Sequence, residues 1–169
     1  GDFYGHYLAF EDFDQKFKDA HDLPDGNMYK LRDGFTDGNE LKQAQGRFSV
    51  TDDSDYDNIR VNLLPTQSTN WLNQHVDFEN VYRYHSVVEG TRCYDNGYFG
   101  YGDTANKNQM WFFNPEGSTN LFGRAQIHPH DTDSAWSPGY SSLYGNSQFK
   151  EAFTLNGGKP AYERELRNH

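Results

Sequence analysis

Two apolar runs separated by a Pro-Glu-Gly turn constrain the fold of this chain more than any other stretch. Residues 108–114 (NQMWFFN) are dense in large apolar side chains, Pro115-Glu116-Gly117 marks a reversal, and residues 121–128 (LFGRAQIH) form the second run. Runs of this length bounded by turn residues read as strands, and the short connection makes them an antiparallel hairpin. Beyond Pro129 the second strand delivers Asp131-Thr132-Asp133. A rigid element that ends in carboxylates on a loop is a place where ligand-binding groups collect. Two aspartates at this spacing can share a hard cation such as magnesium through oxygen ligands. An Asx-turn, with one aspartate bonded to its own backbone, accounts for the same residues without a ligand.

What packs against the hairpin must be aromatic. The 169 residues suffice for one domain, 1–169, with a sizeable core, but only 34% are hydrophobic while 17% are Phe, Tyr or Trp. Rings therefore supply most of the buried area, and the Gly-, Asn- and Asp-rich remainder predicts long ordered connections. A net charge of −10 argues against a nucleic-acid partner, which needs a basic face, and against an anionic membrane surface. No apolar run approaches membrane-spanning length. The single Cys93 rules out an internal disulfide framework.

Along the chain, residues 2–11 (DFYGHYLAFE) read as a strand with apolar bulk on both faces. Residues 12–20 read as a short helix with Phe13 and Phe17 one turn apart, capped by Asp12 or Asp14. A strand is expected over 27–32, and a polar loop with a helical turn near 40–45. Asp52, Asp53, Asp55 and Asp57 form an acidic knot in which the Asp53, Asp55, Asp57 spacing resembles the start of a calcium loop, but Asn58 and Leu64 stand where that loop needs Gly and Glu. Helix capping with first-turn acids is the better reading. A helix over 65–72 carries Trp71. The clearest helix runs over 77–93, with Phe78, Val81, Tyr82, His85, Val88 and Arg92 at helical spacing and Val87 widening the stripe. His85 on that face reads as a hydrogen-bonded core histidine. Residues 95–107 form an exposed loop, residues 148–153 a helical turn, and residues 159–167 a charged helix. The fold class is α+β, mainly short helices around the hairpin.

The order of residues from the long helix to the hairpin's end is informative. Asp95 follows the helix, Asn108 heads the hairpin, and Asp131 and Asp133 end it. An aspartate, an asparagine and a later aspartate is the working order of protein-kinase-like phosphotransfer, in which the first accepts a hydroxyl proton and the others hold metals on the phosphates. The segments DFYGHYLAFEDFDQKF, DGNMYK, KNQMWFFNPEG and IHPHDTDSAW together resemble the spore-coat-protein-H (CotH) kinase family, in order, over most of residues 3–137. The resemblance implies a kinase-like carboxy-terminal lobe. Asp95 would be the catalytic aspartate, Asn108, Asp131 and Asp133 the metal ligands, and Glu11 and Lys30 cofactor-binding residues. It further implies ATP and Mg2+ or Mn2+ as cofactors and protein hydroxyls as acceptors. A cell-surface, secreted or spore-coat setting would follow. His130 stands where the family usually carries Trp, and Asp103, Asn96 and Asn106 are rivals of Asp95 within its loop.

In that family a nucleotide-binding lobe with a phosphate-gripping lysine precedes the strand that would match residues 1–12. The opening Gly-Asp-Phe-Tyr, without Met, is accordingly expected of a processed product or fragment, inactive without an amino-terminal lobe. A reading from another class is a non-catalytic surface or adhesion module that binds protein, glycan or calcium. A dehalogenase-like phosphohydrolase would use Asp131 as a nucleophile, but too few residues follow Asp133 for the further strands and helices it needs.

Overall fold

The structure is a computed structural model and describes residues 14–23, 25–33, 40–43, 48–64, 66–93, 95–97, 99–100, 106–115, 118–132, 135–136, 163–164 and 167. The expected strand over 2–11 and turn over 148–153 lie outside these residues. Glu163, Arg164 and Arg167 are helical and exposed, inside the expected terminal helix.

Helix α1 spans Gln15–Ala20, and Asp14 caps it by accepting the Phe17 amide at 3.0 Å. Strand β1, Asn27–Asp33, begins directly after Asp25 and Gly26. Strand β2 is Glu40–Gln43, where a helical turn was the expectation. Glu, Leu, Lys and Gln are good helix formers, but four residues cannot nucleate a helix alone. The open edge of β1 offers them a ladder instead, with Leu41 opposite Tyr29 and Glu40 opposite Lys30.

Three helices follow: α2 (Ser54–Asn62), α3 (Thr69–His75) and α4 (Phe78–Thr91). The acidic run starts α2, with Asp55 and Asp57 in its first turn as expected, but Asp53 at the N-cap makes no side-chain capping bond. Ser68 caps α3 through the Trp71 amide at 3.2 Å, so this helix begins later than the sequence suggests. Asp77 caps α4 through the Asn80 amide at 3.3 Å. Two members of the expected α4 stripe face outward: Val87 is exposed, and Arg92 is the exposed left-handed residue that ends the helix.

Strands β3 (Lys107–Asn114) and β4 (Arg124–Pro129) form the expected hairpin, in register from Gln109–Pro129 to Asn114–Arg124. Leu121 and Phe122 belong to its turn rather than to β4. The sheet order is β2-β1-β3-β4, antiparallel throughout. Alternation along the strands sends two sets of side chains to opposite faces. Met28, Met110 and Phe112 meet Phe17 and Leu23 beside α1. Tyr29, Leu31, Trp111, Phe113, Ala125 and Ile127 join the main core with α2, α3 and α4. Eight of the eighteen described buried residues of that core are aromatic, a high share for a chain with 17% Phe, Tyr and Trp. Trp111 is fully buried, stacks on Phe99 and donates to the Gln109 side chain at 2.8 Å. Among the described residues, no helix is long and apolar enough to cross a membrane.

Candidate functional site

The end of the sheet where β3 begins and β4 ends is built by asparagines. Asn106 and Asn108 both adopt left-handed backbone, at φ 60° and 51°, a conformation that Asn tolerates better than most residues. Asn106 is buried and pairs with Gly100 like a short strand, donating to its carbonyl at 2.7 Å and accepting its amide at 3.2 Å. Asn96 ties three elements together. Its amide donates to the Asn108 carbonyl at 2.6 Å and the His130 carbonyl at 2.8 Å, while its oxygen accepts the Cys93 thiol at 2.6 Å. The His130 amide also donates to the Asn108 carbonyl, at 3.0 Å. The end of α4, the start of β3 and the end of β4 therefore meet at one point.

Among the described residues of the expected exposed loop over 95–107, Asn96, Phe99, Gly100 and Asn106 are buried. Side-chain amides supply the partners that its backbone needs inside the protein. Gly97 lies so close to β3 that a Cβ would overlap the Lys107 amide. His85 closes the loop from the α4 side by accepting the Phe99 amide at 3.1 Å. Burial pushes its imidazole down to about 3, so it is the neutral core histidine expected.

Asp95 stands at the mouth of this junction with both carboxylate oxygens engaged. The Lys107 ammonium donates to one at 2.6 Å, and the Asn108 amide to the other at 2.9 Å. The same Asn108 nitrogen lies 3.0 Å from the Asp95 carbonyl. The Lys107 and Asp95 side chains are 39% and 34% exposed, so the pair contributes at most about 1 kcal/mol to stability. Its consequence is orientation: the carboxylate is fixed beside the first residues of β3.

Asp131 follows His130 directly, is exposed, and has φ 55°. A turn closes behind it, with the Ala135 amide donating to the Thr132 carbonyl at 3.1 Å. The Trp136 amide then returns to the Thr91 carbonyl of α4 at 2.7 Å. Asp131 is therefore presented on a loop anchored at both ends.

The structure brings Asp95 and Asn108 into hydrogen-bond contact and carries Asp131 to the same end of the sheet. Lys30 is elsewhere, half-buried in mid-strand, in the row Lys30–Met110–His128 two residues along from Asn108. Glu11 and Asp133 lie outside the described residues, as does the rival Asp103. The other rivals, Asn96 and Asn106, spend their side chains on internal bonds. Lys107 is the residue that sequence reasoning missed, and its position directly before Asn108 was the available signal. Among the described residues, no group of three or more His, Cys, Asp or Glu is arranged to hold a metal ion. The oxygen donors of Asn108 and Asp131 are of the type that hard cations such as Mg2+ prefer. Compared with family models, curated proteins and solved structures, the chain matches none of them.

Proposed function

We propose that this end of the sheet is the phosphotransfer site of a kinase-like domain of the spore-coat-protein-H type, acting on protein hydroxyls. The observation that carries the reading is the Asp95 carboxylate, held by Lys107 and Asn108 at the point where β4 hands over to Asp131. Asp95 accepts the proton of the attacking hydroxyl, which needs a carboxylate aimed by its neighbours. Lys107 keeps that carboxylate oriented and supplies positive charge beside the phosphoryl group. Asn108 commits its amide nitrogen to Asp95, so its oxygen is the atom for a cation, together with Asp131 and Asp133. When bound, Mg2+ or Mn2+ neutralises the charge of the ATP phosphates. In this reading Glu11 and Lys30 serve the nucleotide side, and the chain acts at the cell surface or in a secreted coat.

The test measures phosphate transfer from ATP to protein serine and threonine in the natural polypeptide that carries this chain. Asp95→Asn keeps the shape of the carboxylate and removes its basicity, so it should lower kcat by about 100-fold or more, with circular dichroism unchanged. Transfer at the parent rate in Asp95→Asn, or transfer indifferent to removal of divalent ions, would overturn the proposal.

A further inference from the structure

The opposite end of the hairpin carries a cleft that the phosphotransfer reading does not use. Strand β3 is eight residues long, which separates its two ends by roughly 24 Å. At the far end, Asn114 and Arg124 face Asn73, Gln74 and Asp77 of the α3–α4 junction across a cleft of about 460 Å³. That is within the roughly 300–1,000 Å³ of small-molecule sites. Its lining side chains are all polar, and several are fixed. The Asp77 carboxylate accepts the Asn80 amide at 3.3 Å on one oxygen and the Gln126 amide at 3.0 Å on the other, with the Arg124 guanidinium at 3.8 Å.

Helix capping accounts for Asp77 alone. It does not account for what surrounds it. With its nitrogen committed to Asp77, Gln126 keeps its oxygen as an acceptor, while Arg124, 55% exposed, keeps further N–H donors. Asn73, exposed, adds an amide that both donates and accepts. The Asp77–Arg124 pair balances charge, so the cleft offers no net attraction to an ion. Ser118 and Thr119 form a lip shared with a second recess of about 300 Å³, whose walls are Phe48, Pro115, Asn120 and Leu121. Phe48 and Leu121 are 51% and 70% exposed.

A neutral, donor-and-acceptor-rich cleft beside an apolar recess matches one ligand chemistry closely. Sugar hydroxyls donate and accept at once, sugar C–H faces pack on aromatic rings, and an acetamido group adds an amide and a methyl. We propose that this cleft binds neutral acetamido saccharides, with hydroxyls against Asn73, Arg124 and Gln126 and the acetamido methyl toward Phe48 and Leu121.

The probe is N,N′-diacetylchitobiose, titrated into the protein and followed by the NMR signals of the Asn73, Asn114 and Gln126 side-chain amides. Saturable shifts at these groups and at the Ser118 and Thr119 backbone are expected, with a Kd on the order of 1 mM. The double variant Asn73→Ala/Thr119→Ala changes two exposed side chains and should weaken binding about five-fold or more, with its spectrum otherwise preserved. Asp95→Asn should bind the sugar like the parent, which separates this proposal from the fate of the phosphotransfer reading. Absence of saturable shifts, shifts confined to other regions, or parent-like affinity in the double variant would each overturn it.

Discussion

Asp55 is a carboxylate 2% exposed and served by neutral donors. The Tyr29 hydroxyl and the Tyr56 amide donate to one oxygen, and the Asn27 amide donates to the other. Burial raises the Asp55 carboxyl above the usual range, while these three hydrogen bonds pull it back down. Burial and the bond to Asp55 likewise raise the Tyr29 hydroxyl, so Tyr29 stays a donor across the physiological range. The arrangement pins α2 to β1. Tyr29→Phe leaves the buried carboxylate short of a donor and should cost about 1–3 kcal/mol, read as a lower midpoint in urea unfolding. An unchanged midpoint would contradict the role given to this hydroxyl. The acidic run was legible as a helix start. That Asp55 turns inward was not, because its partners Asn27 and Tyr29 lie more than two dozen residues upstream.

Among the elements, α4 and the β3–β4 hairpin show how the same substitution has opposite signs in different settings. Gly90 sits in the last turn of α4, where an added Cβ meets open space. Gly90→Ala should therefore stabilise the protein by about 0.5–1 kcal/mol, since Gly loses more backbone freedom in a helix. Gly123 joins the hairpin turn to β4 at φ 74°, and a Cβ there would overlap the Asn114 carbonyl. Gly123→Ala should destabilise by more than about 1 kcal/mol, because the required conformation is closed to Ala. Unfolding curves of the two variants beside the parent check both signs. Helix α4 was legible because its apolar spacing is a local signal. Strand β2 was not, because four helix-forming residues become a strand only when a neighbouring edge is present.

At the scale of the whole molecule, buried His85 and partly buried His128 make acid unfavourable to the folded state. Burial lowers His85 to about 3 and His128 to about 4, whereas unfolding returns each to about 6.5. Between these values the unfolded chain binds protons that the folded one does not. The stability that their neutrality permits is complete above pH 6.5 and is lost as pH falls toward 4. Each histidine contributes a slope of up to about 1.4 kcal/mol per pH unit. Asp55 acts in the opposite sense, since a raised carboxyl takes up its proton in the folded state first. Urea unfolding at pH 7 and at pH 5 should show the loss. Equal stability at both values would contradict the burial of these rings.

The sequence by itself determined the hairpin, the helices over 12–20 and 77–93, the helix start at the acidic run, and the aromatic character of the core. These follow from alternation, capping and composition, which act within a few residues or over the whole chain at once. It also carried the order of Asp95, Asn108 and Asp131, and hence a reading of their chemistry. Only the tertiary structure decided that Asp95 and Asn108 touch across thirteen positions, that Lys107 joins them, and that Asn96, Phe99, Gly100 and Asn106 between them are buried. Those outcomes depend on pairing between distant segments, where asparagine side chains take the place of backbone partners. No local pattern encodes which amide will meet which carbonyl. The polar cleft at the far end of the hairpin is a product of the same kind, formed where the α3–α4 junction happens to face the turn of β3 and β4.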